Sequence, residues 1–178
     1  MPLKTLFAVS LLASAPVWSH AEAAAPTAPT LKTPTSIHEE HQEIHATLER
    51  ATHEPGELGE SARALAALLD PHFKREEEIA TPPLSLLAPL SHGPATRRMR
   101  EVLPMTQALE RELPKMLAEH RKIGEARERF EAAARKANRD DYVRFSETLA
   151  HHAKQEEEVL YPAAILVGRY VRAKAPAR

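Results

Sequence analysis

The chain has 178 residues, a formal net charge of −1, 5 glycines and no cysteine. This length predicts one domain with a single core, and the shortage of glycine favours helices. The near-neutral charge argues against nucleic-acid binding, which needs a basic surface to neutralise phosphates. Without cysteine the chain has no disulfides and no thiolate ligands, so imidazole and carboxylate groups must hold any metal.

The amino-terminal residues 1–23 predict a secretory signal peptide. Lys4 gives a positive start, residues 6–12 form an apolar stretch, and small residues follow as a cleavage site. The apolar stretch is shorter than a bilayer-spanning helix and no cysteine follows it, so we expect no stable membrane anchor. These features predict a periplasmic or secreted protein. Residues 24–35 are rich in Pro, Thr and Ala and predict a tether.

Two helices are predicted in the first half of the domain. The first begins at Ser36, where Glu39 three residues later completes a capping box, and it ends before Pro55. The second spans Glu57 to Ala80, with a kink expected at Pro71 because proline removes one backbone donor.

The middle of the chain is interrupted by prolines. Residues 81–94 contain four of them and predict a loop. Residues 96–112 predict an inserted helical segment, interrupted or kinked at Pro104. Pro114 suits an early position in a third helix, which we expect to fade near Asn138.

A fourth helix, capped by Asp140 or Asp141, is predicted to reach about Val171. Four main helices with alternating short and longer connections predict an all-α, antiparallel four-helix bundle over residues 36–171. The inserted helical segment lies between helices 2 and 3, and residues 172–178 are predicted to form a flexible tail.

Two segments 80 residues apart have nearly the same sequence. Residues 72–78 read His-Phe-Lys-Arg-Glu-Glu-Glu, and residues 152–158 read His-Ala-Lys-Gln-Glu-Glu-Glu. A Glu-His-x-x-Ile element precedes each one, at residues 40–44 and 119–123. The chain therefore contains an internal duplication of a helix pair, and each copy supplies two histidines and a carboxylate.

Helix geometry selects the carboxylates. Side chains four residues apart converge on one face, whereas a separation of five points away. His72 with Glu76 and His152 with Glu156 have the first spacing, and Glu157 lies five residues from His152. A distortion of the helix near Pro71 or Pro162 could change this choice by one residue. The remaining glutamates of both runs are expected to flank the site: Glu77, Glu78, Glu157 and Glu158.

The predicted metal ligands are four imidazoles and two carboxylates, three from each half: His41, His72, Glu76, His120, His152 and Glu156. Two carboxylates that can both bridge suit a pair of iron or manganese ions better than one zinc ion, which needs only four ligands.

The paired His-x3-Glu motifs, with a lone histidine in the first and third helices, resemble the hemerythrin-like, or HHE cation-binding, domain family. The resemblance covers roughly Ser36 to Val171, and residues 156–162 are similar to the family's ending of the fourth helix. It implies two non-haem iron ions joined by an oxo or hydroxo bridge, with manganese the less expected occupant. It also implies a small-molecule partner: O2 or NO binding or sensing, peroxide or NO consumption, or iron handling.

The chain departs from oxygen-carrying hemerythrins, which use a fifth histidine on the third helix. The corresponding positions are Met116 and Gly124, and neither can replace imidazole. His45, four residues after His41, is a candidate fifth ligand, although His38 and His45 can equally be solvated. A missing fifth ligand leaves the metals more accessible, which favours redox turnover or metal binding over stable O2 carriage.

Two other interpretations stay open. Tyr161 is expected to pack in the core, with a hydrogen bond to the site as the alternative. The competing class is a non-enzymatic envelope protein whose helices bind a partner and whose histidines are a metal relic or a pH-sensitive face. The sequence does not fix the oligomeric state.

Overall fold

The computed structural model describes residues 31–177, so the predicted signal peptide lies outside the described residues. It contains six α-helices: α1 (Thr35–Thr52), α2 (Gly56–Ile79), α3 (Leu87–His92), α4 (Leu103–Lys136), α5 (Asp140–Gln155) and α6 (Tyr161–Lys174). A π-helical turn, Glu156–Leu160, joins α5 to α6. Residues 31–177 contain no strand, and the prediction of an all-α bundle is confirmed.

Four long rods form the bundle: α1, α2, α4, and α5 continued through the π-helical turn into α6. The connections at 53–55 and 137–139 are short, which places α1 beside α2 and α4 beside α5 in antiparallel pairs. The second connection contains Asn138, whose φ of 53° is left-handed, and the Arg139 amide donates to the Ala134 carbonyl at 2.9 Å. This closure ends α4 where the sequence predicted.

The long helix α4 differs from the prediction. It begins at Leu103, with Pro104 in its first turn, and continues through Pro114 for 34 residues. The predicted start of a separate helix at Pro114 is therefore wrong. Proline removes one backbone hydrogen bond, but Leu109 and Met116 on either side are buried, and this packing keeps the helix continuous.

The predicted caps are not formed. Helix α1 begins at Thr35 rather than Ser36, and no described side chain caps it; the Pro34 carbonyl instead accepts two amide hydrogen bonds of 3.0 Å. Asp140 and Asp141 lie in the first turn of α5 and, within residues 31–177, neither caps it. Their charges still face the positive end of the helix dipole.

The segment predicted as a loop at 81–94 is mostly helical. A 3-10 turn, Pro82–Leu86, leads into α3, and a second 3-10 turn, Arg97–Val102, leads into α4. Leu86 and Val102 are fully buried against Val167 and Val171 of α6. The apolar side chains between the prolines fold this insertion onto the end of the bundle.

The core of the bundle has two apolar layers. One lies toward the end that holds the short connections and includes Leu48, Leu65 and Phe130. The other, which we call the lower apolar layer, includes Leu84, Met116 and Tyr161. Six polar side chains lie between the layers, so the bundle encloses them from both ends.

Among the described residues, no helix combines the length and the apolar character that crossing a bilayer requires.

Candidate metal centre

The four rods bring all six predicted ligands to one place in the interior. Each of α1 and α4 contributes one histidine, α2 contributes a histidine and a glutamate, and the fourth rod does the same: His41, His120, His72, Glu76, His152 and Glu156. All six are buried, and the most exposed, His120, is only 6% accessible. Metal binding by these particular residues stays a prediction, but their convergence is what it requires.

The six side chains form two overlapping groups. In the first, one ligand atom from each residue lies within 4.8 Å of the others: His72, Glu76, His120 and Glu156. In the second the same holds for three residues: His41, His152 and Glu156. Glu156 belongs to both groups, and Glu76 Oε2 lies 3.8 Å from His41 Nε2 in the second. The arrangement offers two adjacent cation positions with a carboxylate between them.

The four-residue spacing behaves as helix geometry predicts. His72 Nε2 lies 3.3 Å from Glu76 Oε1, and His152 Nε2 lies 3.1 Å from Glu156 Oε1. The other oxygen of Glu156 lies 3.4 Å from His120 Nε2. Each glutamate thus faces the histidine four residues before it, and Glu156 also faces His120 and His41 from two other helices.

A helix distortion, the π-helical turn before Pro162, begins at Glu156 but does not change which glutamate points inward. Its carbonyl accepts the amide of Tyr161 five residues later, and in the first copy the Glu76 carbonyl accepts the Thr81 amide at 2.9 Å. Pro82 and Pro162 follow these two hydrogen bonds. A proline ring clashes with the carbonyl four residues earlier, which favours the wider turn that a hydrogen bond across five residues closes. Glu157 is 41% exposed and faces the outer nitrogen of His120.

Several buried donor and acceptor atoms of the centre have no hydrogen-bond partner among residues 31–177: His41 Nδ1 and Nε2, Glu76 Oε2, His152 Nε2 and Glu156 Oε1. Each such atom costs about 1–3 kcal/mol when left unpaired, so a native cluster of them calls for an explanation. Within the described part of the chain, neither glutamate pairs with a lysine or arginine. Imidazole nitrogens and carboxylate oxygens are ligands of transition-metal cations, and such a cation would supply the positive charge that the two buried carboxylates do not receive from a lysine or arginine.

The pKa values of the two inner glutamates, Glu76 and Glu156, are shifted in opposite directions. Burial and the nearby charge of Glu156 raise the pKa of Glu76. Burial also acts to raise the pKa of Glu156, but the close contacts of its carboxylate with His120, His152 and His41 outweigh it and hold that pKa well below its usual value. Burial acts to lower the pKa of His152, but the neighbouring carboxylate of Glu156 outweighs it and raises that pKa to about 9. Glu156 and His152 thus favour the charged form of each other.

Tyr161 packs in the core as expected, and it also makes the hydrogen bond to the centre that was the alternative. Its ring is 1% exposed, and its hydroxyl donates a hydrogen bond to Glu76 Oε1. The hydroxyl oxygen of Tyr161 also lies 3.2 Å from His120 Nε2 and 3.5 Å from His72 Nε2. Its counterpart in the duplication is Thr81, so the repeat gave no signal for this contact.

The candidate fifth histidine does not reach the centre. His45 is 57% exposed, and its Nε2 lies 3.5 Å from an oxygen of Asp70 on the surface. His38 is also exposed, beside Glu77. Met116 is buried in the lower apolar layer with Tyr161. Within residues 31–177, the centre therefore gathers four histidines.

A helical bundle that encloses paired histidines and glutamates contributed by facing helices has the architecture of a metal-binding bundle protein. The family model of the hemerythrin HHE cation-binding domain matches residues 34–164, and the chain belongs to that family. Neither the curated proteins nor the solved structures gave a significant match. Family membership and the buried cluster together indicate metal binding.

Proposed function

We propose that the protein binds two metal ions, iron in preference to manganese, between the halves of the duplicated bundle. One ion would be held by His72, Glu76, His120 and Glu156, and the other by His41, His152 and Glu156. The observation that carries this proposal is the sharing of Glu156 by two buried groups whose atoms are partly unpaired. Two cations would supply the positive charge and the coordination that these atoms lack.

The small molecule that we propose as the partner is O2, NO or peroxide. The group of His41 and His152 offers three ligands where the other offers four, which leaves more room for an added molecule at that side. A bound iron pair supplies redox and Lewis-acid chemistry. With four histidines instead of five, redox turnover or metal handling is favoured over stable O2 carriage, so we class the protein as a metal-binding protein first and an enzyme second.

The side chains around the centre support this function by fixing the ligands. The ring of Phe73 stacks on His41, with centroids 4.3 Å apart and planes 4° from parallel. The Tyr161 hydroxyl holds one oxygen of Glu76 and leaves the other facing His41. The rings of Phe73 and Tyr161 shield the centre from water. They also fix the orientations of His41 and Glu76 before a metal binds.

Export to the periplasm or beyond is the second part of the proposal. It is supported by the signal-like composition of residues 1–23. Fractionation of cells that produce the full chain is expected to find a shortened protein outside the cytoplasm. Retention of the uncut chain in the cytoplasm would contradict this part and leave the metal proposal untouched.

Elemental analysis of the purified full chain from iron-replete cells tests the metal proposal. We expect about two iron ions per chain and absorbance in the near-ultraviolet and visible after exposure to air. His72→Ala should lower the iron content, whereas His45→Ala, which changes an exposed histidine, should not. An iron content near zero in the unaltered protein, with no other metal in its place, would contradict the proposal.

The competing function, a helical partner-binding protein of the envelope, is favoured by one observation. Leu166 and Tyr170 lie one turn apart on α6 and are 64% and 42% exposed. This interpretation expects the melting temperature to be the same with and without a chelator. A metal pair bound only to the folded state raises the melting temperature instead, so chelation should lower it.

A further inference from the structure

The outer nitrogen of each site histidine faces a second set of glutamates. The inner nitrogens, Nε2, face Glu76 and Glu156. The outer nitrogens, Nδ1, lie beside four other carboxylates: His120 at 2.8 Å from Glu157, His72 at 3.0 Å from Glu119, His152 at 3.1 Å from Glu40, and His41 at 3.5 Å from Glu77. Every histidine of the centre is therefore placed between an inner and an outer carboxylate.

These contacts cross between helices in a regular way. Glu40 stands next to His41 in the sequence but contacts His152 on another helix. Glu119 stands next to His120 but contacts His72. The duplication relates these two contacts to each other, since Glu40 corresponds to Glu119 and His152 to His72.

The other two contacts are related in the same way. Glu77 follows Glu76 and contacts His41, and Glu157 follows Glu156 and contacts His120. The four contacts are thus two copies of two contacts, repeated with the halves of the bundle. An incidental surface ion pair would not be expected to recur at matched positions.

The chemistry of imidazole explains what such contacts do. Neutral histidine has one N–H, and a carboxylate beside Nδ1 holds that hydrogen on the outer side. The lone pair of Nε2 is then free and directed inward, where a metal binds it. The four outer glutamates are between 31% and 41% exposed, so they keep contact with water and cost less to desolvate than the inner pair.

We propose that Glu40, Glu77, Glu119 and Glu157 are positioning residues that hold the four histidines in the tautomer and orientation needed for metal binding. This inference rests on the proposed metal site. Removing such a carboxylate is expected to weaken metal binding about 10- to 100-fold. Glu77 should matter least, because His41 Nδ1 lies farthest from its carboxylate and forms no hydrogen bond within residues 31–177.

The first test is the affinity of the full chain for Zn²⁺, measured by competition with a coloured chelator. Glu40→Ala, Glu119→Ala and Glu157→Ala should each bind Zn²⁺ about 10- to 100-fold more weakly than the unaltered protein. The matched controls are the neighbours Glu39→Ala and Glu158→Ala, whose side chains lie on the exposed surface. Glu119→Gln keeps an oxygen acceptor and should recover most of the affinity that Glu119→Ala loses.

The second test uses the crossed pairing, which a general loss of stability would not reproduce. In ¹⁵N spectra of the Zn²⁺-loaded protein, Glu119→Ala should alter the Nδ1–H signal of His72 and leave that of His120 in place. Glu40→Ala should alter His152 rather than the adjacent His41. Because zinc is diamagnetic, each histidine can be followed separately, and Glu119→Gln provides the comparison if an alanine variant folds poorly.

The outcomes separate the two proposals. If the unaltered protein binds no metal, the proposed function fails, and the positioning role fails with it. If it binds Zn²⁺ but the affinities of the alanine variants stay within about twofold of their controls, the positioning role alone is overturned. A change of about twofold lies well below the smallest loss expected, which is about 10-fold. A perturbed His41 with an unchanged His152 in Glu40→Ala would also overturn it.

Discussion

Replacing Tyr161 with phenylalanine removes a single oxygen from the interior of the metal centre. That oxygen donates a hydrogen bond to Glu76 Oε1 and lies 3.2 Å from His120 Nε2. The ring stays in the lower apolar layer, where it is 1% exposed. Tyr161→Phe therefore tests the polar contact while it leaves the packing nearly unchanged.

The expected cost follows from what Glu76 loses. Its side chain is fully buried, and after the substitution Oε1 keeps its contact with His72 Nε2 at 3.3 Å but has lost the hydroxyl donor. A buried acceptor that loses its donor costs about 1–3 kcal/mol. For a chain of this size, each kcal/mol lowers the melting temperature by about 2–4 °C, so a fall of about 2–12 °C is expected in the metal-free protein.

Thermal and urea unfolding of the chelator-treated full chain measure this effect. Tyr170→Phe is the matched control, because Tyr170 lies on the same helix and is 42% exposed. The control should leave stability within about 0.5 kcal/mol of the unaltered protein. Equal stability of Tyr161→Phe and Tyr170→Phe would mean that the hydroxyl does not hold Glu76.

Three other predictions concern packing, pH and metal. A Cβ on Gly168 would lie 2.1 Å from Thr106 Oγ1 and 2.5 Å from its Cβ, so Gly168→Ala should cost about 1–3 kcal/mol in urea unfolding. By contrast, Gly124→Ala, with no described atom within 4 Å, should gain about 0.5–1 kcal/mol; equal effects would contradict this. The hydrogen bond from Arg139 holds the pKa of Glu54 below its ordinary 4.5, so this contact stabilises the fold above that pH and is lost as the pH falls through the lowered pKa. Between about pH 6 and pH 3, the melting temperature should fall less in Glu54→Gln than in the unaltered protein. An equal dependence of the melting temperature on pH in the two proteins would count against the contact. Added Fe²⁺ should raise the melting temperature of the unaltered protein and less so that of His152→Ala, and equal shifts would place the metal elsewhere.

The sequence predicted the parts of the centre that depend on local spacing. A histidine and a glutamate four residues apart must share a helix face, so the inward direction of Glu76 and Glu156 follows once the helices are known. The duplication then supplied the second half by analogy. This is why the six residues could be named without a structure.

The missed features depend on distances between helices. Tyr161 reaches Glu76 in the other half of the duplication, and its repeat counterpart is a threonine too short to do the same. The contact of Glu40 with His152 likewise joins residues far apart in the sequence. The continuity of α4 through Pro114 was missed because tertiary packing outweighs the helix-breaking tendency of one proline.

The metal content of Glu156→Gln decides whether this cluster holds two ions, because Glu156 is the side chain that both groups share. We expect about two metal ions per chain in the unaltered protein and in His45→Ala, and a loss of both ions in Glu156→Gln. Two ions retained in Glu156→Gln, or none in the unaltered protein, would contradict this expectation.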